Sequence, residues 1–334
     1  MAFGFRLMKQ IRHVPEVFCC LTNPWSIVEL EHARKLFSEF PFLKFAYQIT
    51  NEAILEAMEK EPVFHIIDPN ATNAAQWIHL FRALKEQRQG NPVPHVKITM
   101  IHKNKDILQR VGSELIQEAS KMNMLVHFNG IVSNLENVCF EKLPLTPGEP
   151  LAISCVLILH SHLAVDDDQM SPDSEALPIK IRRFLNQLWK LHPRIMVVTE
   201  QESDNNGSSL SDRVDKALKW YAALFDSLEA SVPKEREIER IMVERMILGE
   251  DIKNIIACDG ADRKERHGKF LKTWRPLLEL AGFNGVPMSY ERMLEVTRPL
   301  QSYGLEYKLK ENNQCLFTCW NDLPLYSISA WKFL

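Results

Sequence analysis

Between residues 63 and 202 the chain alternates short apolar runs with amphipathic stretches, and this constrains the fold more than any other feature. "VFHIID" (63–68), "HVKITMIH" (95–102), "MLVHFNGIV" (124–132), "PLAISCVLIL" (150–159) and "RIMVVTEQE" (194–202) read as strands. The stretches between them, 73–87, 105–122 and "ALPIKIRRFLNQLWKLH", repeat apolar residues at helical spacing. Units of this length close as right-handed crossovers, so the expected sheet is mostly parallel and covered on both faces. The unbroken apolar run at 150–159 fits a strand buried on both sides.

Beyond it the pattern turns helical at about 209–230, 234–257, 268–281 and 289–302. Then "LEYKLKENNQCLFTCWNDLPLYSISAW" reads as antiparallel strands turning at Glu311–Asn313 and Asp322–Pro324. A parallel sheet finished by an antiparallel hairpin is the outline of a methyltransferase-type Rossmann domain, an α/β fold. Residues 1–61 read as helical. The first clear helix is "WSIVELEHARKLFSEF", and "TNEAILEAMEKE" follows, expected to start at a Thr50/Asn51 cap and to stop at Pro62. A partial helical cap (1–61) therefore precedes an α/β core (62–334) with a helical insertion at about 209–257. Asn73 is expected to cap the helix at 73–87. Loops 165–176 and 202–209 read as floppy.

The turn after the first strand decides whether this frame carries a cofactor. It reads Asp68-Pro69-Asn70-Ala71-Thr72-Asn73-Ala74, with no glycine. The whole chain has 12 glycines in 334 residues, about half the usual ~7%, and none lies between Gly4 and Gly90. Backbone that wraps a phosphate or ribose relies on glycine for close approach. Here each β-carbon crowds that space and Pro69 lacks an N–H donor. The residues argue for no cofactor, with Asp68 and Asn70 serving the turn and the next helix cap.

Other candidates are weighed in the same way. "LHSHLAVDDD" sets His160, His162 and Asp166–Asp168 just after a buried strand, where a metal or catalytic group can sit, but no third ligand is fixed by spacing. A polar loop at a strand end is favoured. In "ADRKERHGKFLKTWR" (261–275), Arg263, Lys264, Arg266 and Lys269 form the most basic stretch and are candidates for contacting DNA phosphates. A solvated helix start with internal ion pairs is the favoured alternative. Cys315 and Cys319 share a strand face without metal-site spacing and read as buried thiols. The seven scattered cysteines fit a reduced intracellular protein. A net charge of −3 excludes a whole-surface nucleic-acid binder, and no apolar run is long enough to span a membrane. Phosphate-loop, zinc-protease and nucleophile-elbow motifs are missing.

Taken together the motifs resemble a family. "FHIID", with His65, Ile66, Ile67 and Asp68, is similar to the VHIID block of the plant GRAS regulators. "HPRIMVVTEQESDNNGSSLSDRV", "WYAALFDSLEA" and "DRKERH" resemble that family's PFYRE segment through Pro193, Tyr221, Glu265 and Arg266. Trp274 with Gly282, Trp320 with Trp331, and Ser329-Ala330-Trp331 resemble its terminal SAW region. The scarecrow-like 3 branch is the most similar. The resemblance implies a methyltransferase-like core under a helical cap; with the residue reading above, the expectation is no catalysis, no cofactor and no metal. It implies transcriptional co-regulation in the nucleus, linked to gibberellin and development. The partners it implies are other GRAS proteins, DELLA types included, and C2H2 zinc-finger factors that carry DNA specificity, so that DNA contact is indirect. It implies further cap helices than this chain begins with. Gly268 stands where the branch has Glu, and is expected to weaken a helix by about 1 kcal/mol.

Overall fold

The computed structural model describes residue 6 and residues 25–70, 74–88, 92–163 and 179–333. Nine strands there form one sheet. β1 (Val63–Asp68), β2 (His95–His102), β3 (Val126–Val132), β4 (Leu151–Val156) and β5 (Ile195–Gln201) are parallel, in the order β3-β2-β1-β4-β5. The rest, β6 (Phe283–Val286), β7 (Tyr307–Asn312), β8 (Cys315–Trp320) and β9 (Leu323–Phe333), extend it antiparallel. β9 pairs with β5 on one edge. Its other edge carries β8 along Leu323–Ser329 and β6 along Ala330–Phe333. The sequence outline holds, with β6 added: "FNGV" is too short and too poor in β-branched residues to announce itself.

Alternation along the strands divides the interior into two cores. Phe64, Ile66, Ala152, Val197 and Ile328 point to one face, against α1 (Ile27–Glu39), α2 (Pro41–Ala57), α3 (Ala75–Gln87), α4 (Lys105–Lys121) and further helices. Ile67, Ile153, Cys155, Val198 and Trp331 point to the other, against α5 (Ile179–Trp189). A period of two on strands covered on both faces produces this split. α6 (Leu210–Ser231), α7 (Glu237–Val243) and α8 (Gly249–Ala257) cover the first face, with a π-helical turn at Glu244–Leu248 between the last two. A second π turn (Phe270–Trp274) leads into α9 (Arg275–Leu280) on the opposite face, and α10 (Tyr290–Thr297) returns beside α2. Cys315 and Cys319 are buried free thiols in the second core.

Three expectations are corrected. Thr50 and Asn51 do not cap a helix. Pro41 opens α2 as its first residue, which places both in its middle, buried. There Asn51 Nδ2 donates to the Gln76 carbonyl (2.8 Å) and Thr50 Oγ1 meets Thr199 Oγ1 at 3.2 Å. Loop 202–209 is tied down rather than floppy: Asn205 is fully buried and its N–H donates to the His267 carbonyl at 3.1 Å. Gly268 precedes the π turn in non-helical backbone, so it weakens no helix; an added Cβ there would collide with the Thr273 side chain. Asn73 and all of loop 165–176, Asp166–Asp168 included, lie outside the described residues. α3 starts at Ala75, and its N-cap Ala74 offers no side-chain cap.

Candidate functional site

The strand order reverses between β1 and β4, and open α/β sheets form a crevice at such a point, beyond the carboxyl ends of the strands. Asp68, last residue of β1, reaches this end. Its two carboxylate oxygens are both engaged: Oδ1 accepts from the Asn70 N–H (2.9 Å) and Oδ2 from Trp77 Nε1 (2.9 Å). The turn role expected of Asp68 therefore stands, and it reaches the next helix through the Trp77 indole instead of a cap. Burial pushes its carboxyl up to about 6, against these two bonds.

Beside it, β4 ends at Val156 and Leu157 takes a left-handed conformation (φ 52°), turning the chain into the short helix Leu159–Leu163. The first N–H groups after this turn meet Glu200, near the end of β5. Ile158 N–H (2.8 Å) and Leu159 N–H (2.6 Å) donate to its Oε1, and His160 Nδ1 lies 2.9 Å from its Oε2. Glu200 has no exposed surface, and these three contacts satisfy a charge that burial would otherwise make very costly.

The opposite edge of His160 faces Glu265, with Nε2 3.4 Å from Oε2. The same Oε2 lies 2.9 Å from His267 Nε2, and the two imidazole rings sit 4.2 Å apart. Burial alone would lower His160, but the carboxylates of Glu200 and Glu265 outweigh it and push it up to about 9. Burial would raise Glu265, yet His160 and His267 hold it below the usual carboxylate range. Burial and the His160 charge keep His267 low.

The sequence could not place this segment, because its anchors are distant. Asn254 Oδ1 on α8 accepts from the Lys264 and Glu265 N–H groups (2.8 and 2.9 Å). Asn205 Oδ1 accepts from His267 N–H at 2.8 Å. Arg263 and Arg266, expected at the surface, are buried, which corrects both the DNA-contact reading for these two and the solvated-helix alternative. Arg263 donates to the carbonyls of Asn205 (3.2 Å), Asn206 (3.2 Å) and Gly207 (3.1 Å). Arg266 donates to those of Arg263 (3.0 Å) and Gly260 (2.7 Å). Planar guanidinium groups suit such multiple carbonyl contacts. Lys264 and Lys269 remain exposed.

Asp68, His160 and Glu265 line one cavity of about 220 Å³, together with Gln201, Arg34 of α1 and Asp251 of α8. Burial and the Glu265 charge push the Asp251 carboxyl well up. A wider cleft of about 580 Å³ shares Arg34, Asn70 and His160 and reaches Lys264. His162 turns away, stacked on Phe184 at 4.5 Å, so it does not act with His160 as a pair.

The remaining singled-out residues serve the frame. His65 Nε2 lies 2.8 Å from Thr99 Oγ1, while Ile66 and Ile67 fill opposite cores. Pro193 is buried just before β5 and Tyr221 packs edge-on against Trp220. Trp274 is buried in the second core. Gly282 ends α9 at φ 91°, a conformation that favours glycine, with its carbonyl accepting from Trp189 Nε1. Trp320 Nε1 donates to Asp226 Oδ2 (2.6 Å), Trp331 Nε1 donates to Ser329 Oγ (2.8 Å), and Ala330 packs in the first core. Glu200, Asp251 and His267 escaped the sequence reading, although the end of a parallel strand is a signal that could have found Glu200.

Comparison with known proteins fits this arrangement. Residues 2–332 match the GRAS domain family. GRAS family protein TF80 of Medicago truncatula is 42% identical, over 99% of this chain and 84% of its own length. Scarecrow-like protein 3 of Arabidopsis thaliana is 41% identical, over 93% and 74%. The crystal structure of SCL7 from Oryza sativa superposes with a TM-score of 0.80 at 27% identity, over 99% of this chain and 88% of that one. Matched by the family model over nearly its whole length and by relatives above 40% identity, the chain belongs to the GRAS domain family.

Proposed function

We propose that this protein is a plant transcriptional regulator that acts in the nucleus by protein–protein contact and turns over no substrate. The observation that carries this reading is the closed account at Asp68: both carboxylate oxygens are used by the protein's own Asn70 and Trp77. A glycine-free turn with its acid already engaged leaves little with which to bind a nucleoside. Relatives at about one-third identity bear regulatory names, among them Scarecrow-like transcription factor PAT1 of Arabidopsis thaliana and DELLA protein GAI1 of Vitis vinifera. They support a role in gibberellin-linked development. They also support other GRAS proteins, DELLA types included, as partners. C2H2 zinc-finger factors complete the proposal as the carriers of DNA contact.

The same reading assigns this contact to exposed apolar side chains. α7 packs on α1, and Val28 of α1 and Ile238 of α7 leave 73% and 78% of their surface exposed. Val28→Asp with Ile238→Asp is expected to weaken capture of a DELLA-type or zinc-finger partner at least tenfold in quantitative pull-down, with an unchanged melting temperature. Unchanged capture removes this face from the proposal, and failure of the unmodified chain to capture either class counts against the proposal as a whole. Isothermal calorimetry with S-adenosylmethionine is expected to give no heat of binding. Micromolar binding abolished by Asp68→Ala would point to a transferase instead.

A further inference from the structure

We propose that His160, Glu265 and His267 form a binding site for a divalent transition metal, zinc by preference. Each offers one donor atom, and the three atoms lie within 4.8 Å of one another. Tetrahedral zinc with bonds of ~2.0–2.1 Å places neighbouring ligand atoms ~3.3 Å apart. Glu265 Oε2 is 3.4 Å from His160 Nε2 and 2.9 Å from His267 Nε2, so small shifts accommodate an ion.

Three further features point the same way. His160 presents Nε2 because its Nδ1 is held by the Glu200 carboxylate at 2.9 Å. A carboxylate behind a histidine is the arrangement that orients metal ligands and raises their basicity. The ligand carriers are fixed: the 265–267 segment by Asn254 and Asn205, and His160 by the turn at Leu157. His267 is 99% buried, and its Nε2 meets Glu265 Oε2 at 2.9 Å, so its ring is aimed at the same oxygen that faces His160. Two imidazoles and one carboxylate are a donor set that zinc uses where a fourth position is left open. Two of the three, His160 and Glu265, line the 220 Å³ cavity, whose wall also carries Asp251. The carboxylates of Glu200 and Glu265 flank His160 on both sides, and a divalent ion there offsets more charge than one imidazolium.

The test uses the full chain, stripped with chelator and dialysed against zinc or cobalt alone. Expected are one retained equivalent of zinc, a rise in melting temperature on zinc addition, and the visible bands of tetrahedral Co(II). His267→Gln and Glu265→Gln are expected to lower zinc affinity at least 100-fold. Glu200→Gln, behind the ligands, is expected to lower it about 10–100-fold. His162→Gln, which points elsewhere, should leave it unchanged. An unmodified chain with no cobalt spectrum and no retained zinc overturns the site, whether or not the variants fold. So does zinc held with equal affinity by the folded variants, which would place the ion on surface histidines. Either result leaves the regulatory reading untouched, since that rests on Asp68 and the family.

Discussion

Arg263→Met is expected to destabilise the protein by about 3–5 kcal/mol. The guanidinium is buried and gathers the carbonyls of Asn205, Asn206 and Gly207. Each carbonyl left without a partner costs about 1–3 kcal/mol. Methionine keeps most of the volume and supplies no donor, so the loss reports the hydrogen bonds more than packing. Lysine retains the charge but cannot span three acceptors with one ammonium, and Arg263→Lys should fall between the two. Denaturant midpoints give the energies. Hydrogen exchange should rise first at 203–207, then at His267, whose N–H is held by Asn205. An Arg263→Met protein with an unshifted midpoint would return this residue to the surface role that its charge suggests.

Acidification is expected to remove up to about 3 kcal/mol through His65 alone. Burial lowers this imidazole to about 4, against an ordinary value of 6.5. Glu149 opposes the shift from 3.9 Å, while Lys97 and His127 on the neighbouring strands reinforce it, and Thr99 engages Nε2. Below pH 6.5 the unfolded chain takes up a proton that the folded chain refuses until about 4. Stability therefore falls with pH across that window and levels beneath it. Asp68 works in the opposite sense: its folded value of about 6 lies above the ordinary 3.8, so acid favours the folded state there. His65→Gln keeps a polar contact for Thr99 and should flatten the acid limb of a stability–pH curve, leaving the Asp68 contribution visible. A limb of unchanged depth in His65→Gln would assign the acid sensitivity elsewhere.

These two residues mark the boundary of what the sequence could say. His65 sits on a strand whose apolar run and place before a helix were legible, because strand burial and crossover handedness follow from local pattern. Arg263 was misplaced because charge density along a sequence does not reveal which carbonyls stand opposite. The same blindness hid the partners of His160: Glu265 and His267 are about a hundred residues away and arrive through anchors on α8 and the loop after β5. Thr50 and Asn51 were mistaken for a helix start for a related reason. Polar side chains in a helix suggest an end until the partners across the core, Thr199 and Gln76, are seen.

The position of β9 carries a kinetic consequence. Every residue of β5 is buried, and one of its two edges is paired by a strand that begins at Leu323. During synthesis at ~5–20 residues per second, roughly 6–24 s separate emergence of the two. Throughout that interval the nascent protein presents an unpaired strand edge that is apolar along Ile195–Val198. Its cellular yield should therefore depend on chaperones that hold such edges apart, and a ribosome stalled before Leu323 leaves a species that aggregates rather than one that waits.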